Sequence, residues 1–205
     1  MVKNYLTETD LQRLVPELAN DVYLWTGQTD HSAQGVEAFN YVRQDLINKG
    51  YNLRQLMIPL TLSTTGVEDT INRLRWVVTA TVIGTAIIYG SSDNSTWTTI
   101  QTETISATGV TSYLLSDAYK YYKVGGTATF TSELVDTTFD GLIKYKWIEF
   151  IMMNAGKGGD SKYTEYALYF SKMYDDLLNK MQIPVDTDAD GEVDETKSSV
   201  IDRLN

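Results

Sequence analysis

The middle third of the chain places the tightest limit on its fold. Residues 58–132 hold 17 threonines and few charges. They fall into short runs rich in β-branched and aromatic side chains: LRWVVTATV, TAIIYGSS, TWTTIQTETI, YKYYKV and TATFTS. Branching at Cβ stiffens χ1 and suits a pleated strand better than a helix. The clusters TTG, SSDNS, ATG and VGG lie beside and between these runs and carry turn chemistry. Short strands spaced this closely predict an antiparallel β-sandwich over residues 58–135.

The flanks follow a different period. In YLTETDL, Thr7 is placed as an N-cap with Asp10 at N3, and Leu6 and Leu11 are placed for a hydrophobic staple. Pro16 is suited to restart a helix as its first residue. Leu11, Leu14, Leu18 and Val22 then mark an apolar stripe. A second helix is predicted after TGQTD on Val36, Phe39, Val42 and Leu46, ending at INKGYN with Gly50 as a left-handed cap. Helical spacing returns after residue 136 on Ile143, Trp147, Phe150 and Ile151. NAGKGGD breaks it, and Tyr163, Ala167, Phe170, Tyr174, Leu177 and Met181 form the most regular stripe in the chain. Pro184 forbids its continuation. Short helical segments are marginal alone, so residues 1–57 and 136–183 are expected to form one helical domain interrupted by the sandwich. The expected class is α+β and multidomain: a small helical bundle, an inserted antiparallel β-sandwich, and an extended acidic C-terminal arm over residues 184–205.

Charge narrows the partners. The net charge is −10, and the arm holds seven acids against two bases. A chain this acidic lacks the broad basic face that grips nucleic-acid phosphates. The chain contains no cysteine, so neither disulfides nor thiolate metal sites contribute, which suits a reducing cytoplasm. The first residues lack the apolar run of a signal peptide, and no apolar stretch approaches a membrane span.

The arm begins like a calcium loop. Asp186, Asp188 and Asp190 occupy positions 1, 3 and 5 of an EF-hand frame, with Gly191 at the sharp turn. Position 12 should be a bidentate Glu, and here it is Lys197. The frame therefore predicts at most weak cation binding, and a solvated acidic arm is the simpler reading.

No catalytic constellation emerges. His31 is the single histidine, beside Asp30 at a helix start, and reads as a solvated residue. No H-E-x-x-H, G-x-S-x-G or Walker-type loop occurs, and GKGGDSKYT departs from the phosphate-loop pattern. Adjacent carboxylates such as Asp175 and Asp176 diverge on a helix and do not make an acid–base pair alone. Trp97, Tyr119 and Tyr121 are the candidate surface contacts within the β region, as a sugar platform or a protein interface, against a plain packing role. The expectation is a protein that is not an enzyme and needs no cofactor.

Three stretches together resemble the head-to-tail connector proteins of tailed bacteriophages, also called adaptor or head-completion proteins. They are YLTETDLQRLVPELAND, KYTEYALYFSKMYDDLL and the acidic VDTDADGEVD. The resemblance covers roughly residues 1–57 and 136–205. It implies a virion protein assembled in the host cytoplasm, in a ring of commonly twelve copies stacked below the portal protein. Such a ring extends the DNA channel, lets DNA pass without sequence-specific binding and offers a platform to tail proteins. The C-terminal segment then reaches the portal, through Val185, Asp186, Asp188, Asp190, Val193, Val200, Ile201, Arg203 and Leu204. Within the β region, IIYGSSDNSTWTTI followed by YKYYKV resembles discoidin-type sandwiches. That resemblance implies the alternative function, a carbohydrate- or surface-binding module on a helical support.

Overall fold

The computed structural model describes residues 6–19, 30–49, 59–156, 161–185 and 195–198. The chain divides into two compact units, one of Arg54–Thr137 with Met1–Tyr5, the other of Leu6–Leu53 with Thr138–Asn205. Helical sequence thus precedes and follows the β unit.

In the β unit, eight strands form two antiparallel four-stranded sheets. The strands are β1 (Leu60–Leu62), β2 (Val67–Glu68), β3 (Arg75–Val82), β4 (Gly84–Ser91), β5 (Thr98–Ile105), β6 (Gly109–Leu114), β7 (Tyr121–Gly126) and β8 (Thr129–Val135). One sheet has the order β1-β8-β3-β6 and the other β2-β7-β4-β5. Alternate residues from both sheets enter one buried cluster. Leu62, Trp76, Val78 and Leu134 come from the first, and Ala86, Ile88, Ile105, Tyr122 and Val124 from the second. This is the layout of a β-sandwich. Trp76 is fully buried, and its Nε1–H donates to Ser132 Oγ at 2.6 Å, so its one polar atom is satisfied. The first and last strands are neighbours, with Leu60 opposite Leu134 and Leu62 opposite Ser132. β1 and β2 are very short edge strands, which gives little template for pairing with another chain.

The runs read from sequence correspond to β3, β4, β5, β7 and β8. The pattern missed β1, β2 and β6, which carry two to six residues each and no clean alternation. VGG is not a turn. Gly125 and Gly126 are strand residues paired with Ile87 and Ala86, and the chain reverses after them.

The helical unit contains α1 (Glu8–Gln12), a 3₁₀ turn (Pro16–Ala19), α2 (Ser32–Asn48), α3 (Asp140–Gly156) and α4 (Ser161–Lys180). The N-terminal cap forms as read: Thr7 N–H and Oγ1–H both donate to Asp10 Oδ2, at 2.9 and 3.0 Å. Pro16 opens the next turn, but as a 3₁₀ turn of four residues. Leu11 and Leu18 are buried, whereas Leu14 is 46% exposed; Val22 and Gly50 lie outside the described residues. On α2 the buried stripe is Gly35, Ala38, Phe39, Val42 and Leu46, and Val36 points to solvent. Phe39, Val42 and Leu46 are buried as the sequence reading had them; only its first member was misplaced, because a valine was scored above the glycine beside it. A Cβ on Gly35 would stand 2.6 Å from the Trp147 ring, so the missing side chain admits the indole.

Helix α3 is buried on most of its circumference, through Leu142, Ile143, Trp147, Ile148, Ile151 and Met152, while Phe150 is half-buried. Helix α4 buries only Ala167, Phe170, Tyr174 and Leu178. It ends at Lys180, four residues before Pro184.

The first two residues of the arm, Pro184 and Val185, belong to a strand. Gln182–Val185 (β9) pairs antiparallel with Glu195–Ser198 (β10), so Pro184 faces Thr196 and Lys197 faces Ile183. Proline is tolerated because a two-stranded ribbon has outer edges that need no N–H donor. Position 12 of the calcium frame therefore falls in a strand, not in the exiting helix of an EF-hand.

Candidate interaction surfaces

The turn between β4 and β5 is held by Asp93. Its carboxylate accepts from Ser95 N–H at 2.9 Å, Thr96 N–H at 2.8 Å and Ser91 Oγ–H at 2.9 Å. These donors, the backbone amides of Thr96 and Ser95 foremost, hold its pKa well below the usual carboxylate range. Asn94 takes the left-handed conformation at φ 58°. The turn delivers Trp97, half-buried, to the outward side of the second sheet. There Lys123 Nζ sits 4.3 Å from the Trp97 ring centroid and 5.5 Å from that of Tyr89. The result is a cation between two aromatic faces, a surface able to offer stacking and N–H donors together.

Of the other two aromatics singled out from sequence, Tyr121 is half-buried with Lys120 Nζ 5.5 Å from its ring, and Lys120 also pairs with Glu68 at 3.2 Å. Tyr119 instead packs on the core. Its ring lies where a Cβ on Gly90 would stand, 2.4 Å away, and meets Tyr122 edge-on at 6.3 Å. The Tyr119 N–H donates to the Tyr122 hydroxyl oxygen at 2.7 Å.

The helical unit encloses a few of its polar groups. Lys146 and Glu149 are both buried on α3 and bond at 2.6 Å. The Lys146 ammonium also lies 4.5 Å from the Tyr41 ring centroid and 4.4 Å from that of Tyr174. Tyr174 in turn donates its O–H to Asp45 Oδ2 at 2.6 Å, and burial pushes its pKa far up. One cation thus ties α3 to aromatic rings of α2 and α4. Periodicity could not reveal this, because Lys146 and Glu149 score as surface residues in any hydropathy pattern.

His31 is not the solvated residue expected from sequence. It is 2% exposed, its backbone N–H donates to the Glu8 carboxylate, and its carbonyl accepts from Trp147 Nε1–H at 2.9 Å. Burial pushes its pKa down, against the opposing pull of Glu8 and Asp30. The histidine therefore joins α1, α2 and α3 as a neutral core residue.

Outside, the same unit leaves apolar side chains uncovered: Leu14, Val36, Ile47, Met153, Tyr166 and Leu168, with Leu168 66% exposed. A cleft of about 200 Å³ runs between Leu14, Val15, Tyr166 and Tyr169, and another of about 310 Å³ between Met153, Gly156, Ala167 and Leu168. Of the arm residues, Val185 lies in β9 and is described by its backbone alone. Asp186, Asp188, Asp190, Val193, Val200, Ile201, Arg203 and Leu204 lie outside the described residues. No helix among the described residues is long and apolar enough to cross a membrane.

Comparison with known protein families finds no match, and comparison with curated proteins finds none either.

Proposed function

We propose that the chain is a non-enzymatic structural subunit of a tailed-phage virion, an adaptor that forms a ring below the portal and extends the DNA channel. The observation that carries this reading is the uncovered apolar surface of the helical unit. It comes from different helices, with Val36 and Ile47 on α2 and Met153 on α3. A closed ring needs two different patches on each subunit, each meeting the other on its neighbour. The net charge of −10 suits a channel wall past which DNA slides without adhering. On this reading the acidic arm docks on the portal, no cofactor is used, and the β unit offers a further surface to other virion proteins.

Electron microscopy of the protein mixed with its cognate portal tests the proposal. A ring capping the portal is the expected product; a bare portal at saturating protein removes the reading. Truncation after Met181, which takes both strands of the β9–β10 pair together, should abolish docking and leave the helical unit folded. Docking that survives this truncation removes the arm's role.

The outward Trp97–Lys123–Tyr89 group favours a second reading, a carbohydrate- or surface-binding module. Glycan binding lost in Trp97→Ala would support it, and binding indifferent to that change would remove it.

A further inference from the structure

Helix α4 carries a self-complementary charge pattern on its outer face. The helix turns by about 100° per residue. Ala167, Phe170, Tyr174 and Leu178 define its buried side. The line opposite that side passes between Leu168 and Tyr169, with Glu165 within roughly 10° of it and Lys172 about 25° away. Lys162 and Asp176 stand on the same flank as Tyr169. All six residues are exposed. Among the described residues, neither Glu165 nor Lys172 has an ion-pair partner within the chain.

Read along the helix, the face runs base, acid, leucine, tyrosine, base, acid. Turned end over end about its midpoint, the same face reads acid, base, tyrosine, leucine, acid, base. Each charge then meets its opposite. Glu165 faces Lys172 of the second copy, and Lys162 faces Asp176 of the second copy. Leu168 and Tyr169 meet their own counterparts in the middle. By symmetry every ion pair occurs twice. A parallel arrangement in register sets like charge against like, Glu165 on Glu165 and Lys172 on Lys172.

We infer that α4 is a self-recognition surface, whose partner is the antiparallel α4 of a second copy of this chain. Uncovered leucine and tyrosine supply the apolar centre, and the charges fix direction and register more than they add affinity. The contact is two-fold and closes on itself, so it makes a pair and cannot propagate into a ring or fibre. It stands independently of the connector reading.

Sedimentation of the full chain tests this. The wild type should move from its 23.1 kDa mass toward twice that value as concentration rises, and salt should weaken the association. Glu165→Lys and Lys172→Glu should each weaken self-association at least tenfold, since each sets like charges opposite one another. An equimolar mixture of the two variants should associate again as a mixed pair, and the double variant should self-associate like the wild type. Both positions are exposed, and circular dichroism checks that each variant is folded. A wild type that stays monomeric overturns the proposal. So does self-association unchanged in Lys172→Glu, which would place the contact on another surface, or a mixture of the two variants that fails to associate.

Discussion

The two units bury their charges in different ways. The β unit gathers apolar side chains of both sheets in one core, satisfies Trp76 with a single hydroxyl, and pairs its buried Arg73 with Asp69 four residues away in one loop. The helical unit instead encloses Lys146 with Glu149, and His31 as well, and uses these groups to tie one helix to another. Both leave apolar side chains in solvent, Val82, Ile83, Val110 and Leu114 in the one and Leu14, Val36, Ile47, Met153 and Leu168 in the other. A charge paired within a loop fixes that loop, whereas a charge enclosed between helices fixes the angles at which they pack.

The largest expected effect tests whether the β unit stands alone. Trp76→Ala should cost about 4 kcal/mol, from lost burial plus the cavity left behind. Two unfolding transitions followed by calorimetry, with only one lowered, would uphold the contrast. A single transition lowered as a whole would show that the units share one stability.

Next comes the enclosed cation. Lys146→Met strands Glu149 without its partner, and breaking a buried pair costs about 3 kcal/mol. The double change Lys146→Met with Glu149→Leu should recover most of that loss in denaturant unfolding. A double variant no better than the single one would mean that the aromatic contacts of Lys146, not its ion pair, hold the helices.

A smaller effect follows from His31. Its pKa is lowered in the folded state, so the folded protein resists a proton that the unfolded chain accepts below about 6.5. The contribution is complete above that value and declines as pH falls toward the folded-state pKa, by at most about 1.4 kcal/mol per pH unit. Thermal unfolding of the helical unit between about pH 7 and 5 should show this slope, and His31→Gln should flatten it. An unchanged slope would assign the acid sensitivity to carboxylates.

The smallest effect on folding belongs to the uncovered residues. Val36→Ser should change stability by less than about 0.5 kcal/mol, yet weaken ring formation on the portal. Equal assembly by this variant would make the exposed valine as incidental to assembly as a solvent-facing valine of the β unit.

Alternation and turn chemistry made most of the β unit legible, because a sandwich strand with one wet face writes its orientation into every second residue. The two very short strands carried too few residues to show a period. In the helical unit the caps and stripes were legible at Thr7, Asp10, Phe39 and Tyr174. The reading failed where close packing depends on an absent side chain, as at Gly35, or where a charge is buried with its own partners, as at Lys146. His31 was misread for the same reason: its burial depends on α1 and α3, which are distant in sequence. Of the candidate contacts, Trp97 was legible as a surface aromatic, but its contact with Lys123 across the sheet was not. Tyr119 looked equivalent to Tyr121 by spacing, and the glycine at position 90 decides otherwise.

The neighbouring positions of the first and last strands give the β unit a mechanical character. Its two ends leave from the same side of one antiparallel pair, Leu60 beside Leu134. Tension applied through those ends would not shear the sheet; it would load the three paired positions of β1 and β8 one after another, as in opening a zipper. The unit should therefore yield at low force, then refold when the force is removed, and serve as a compliant element in any machine that pulls on its two ends.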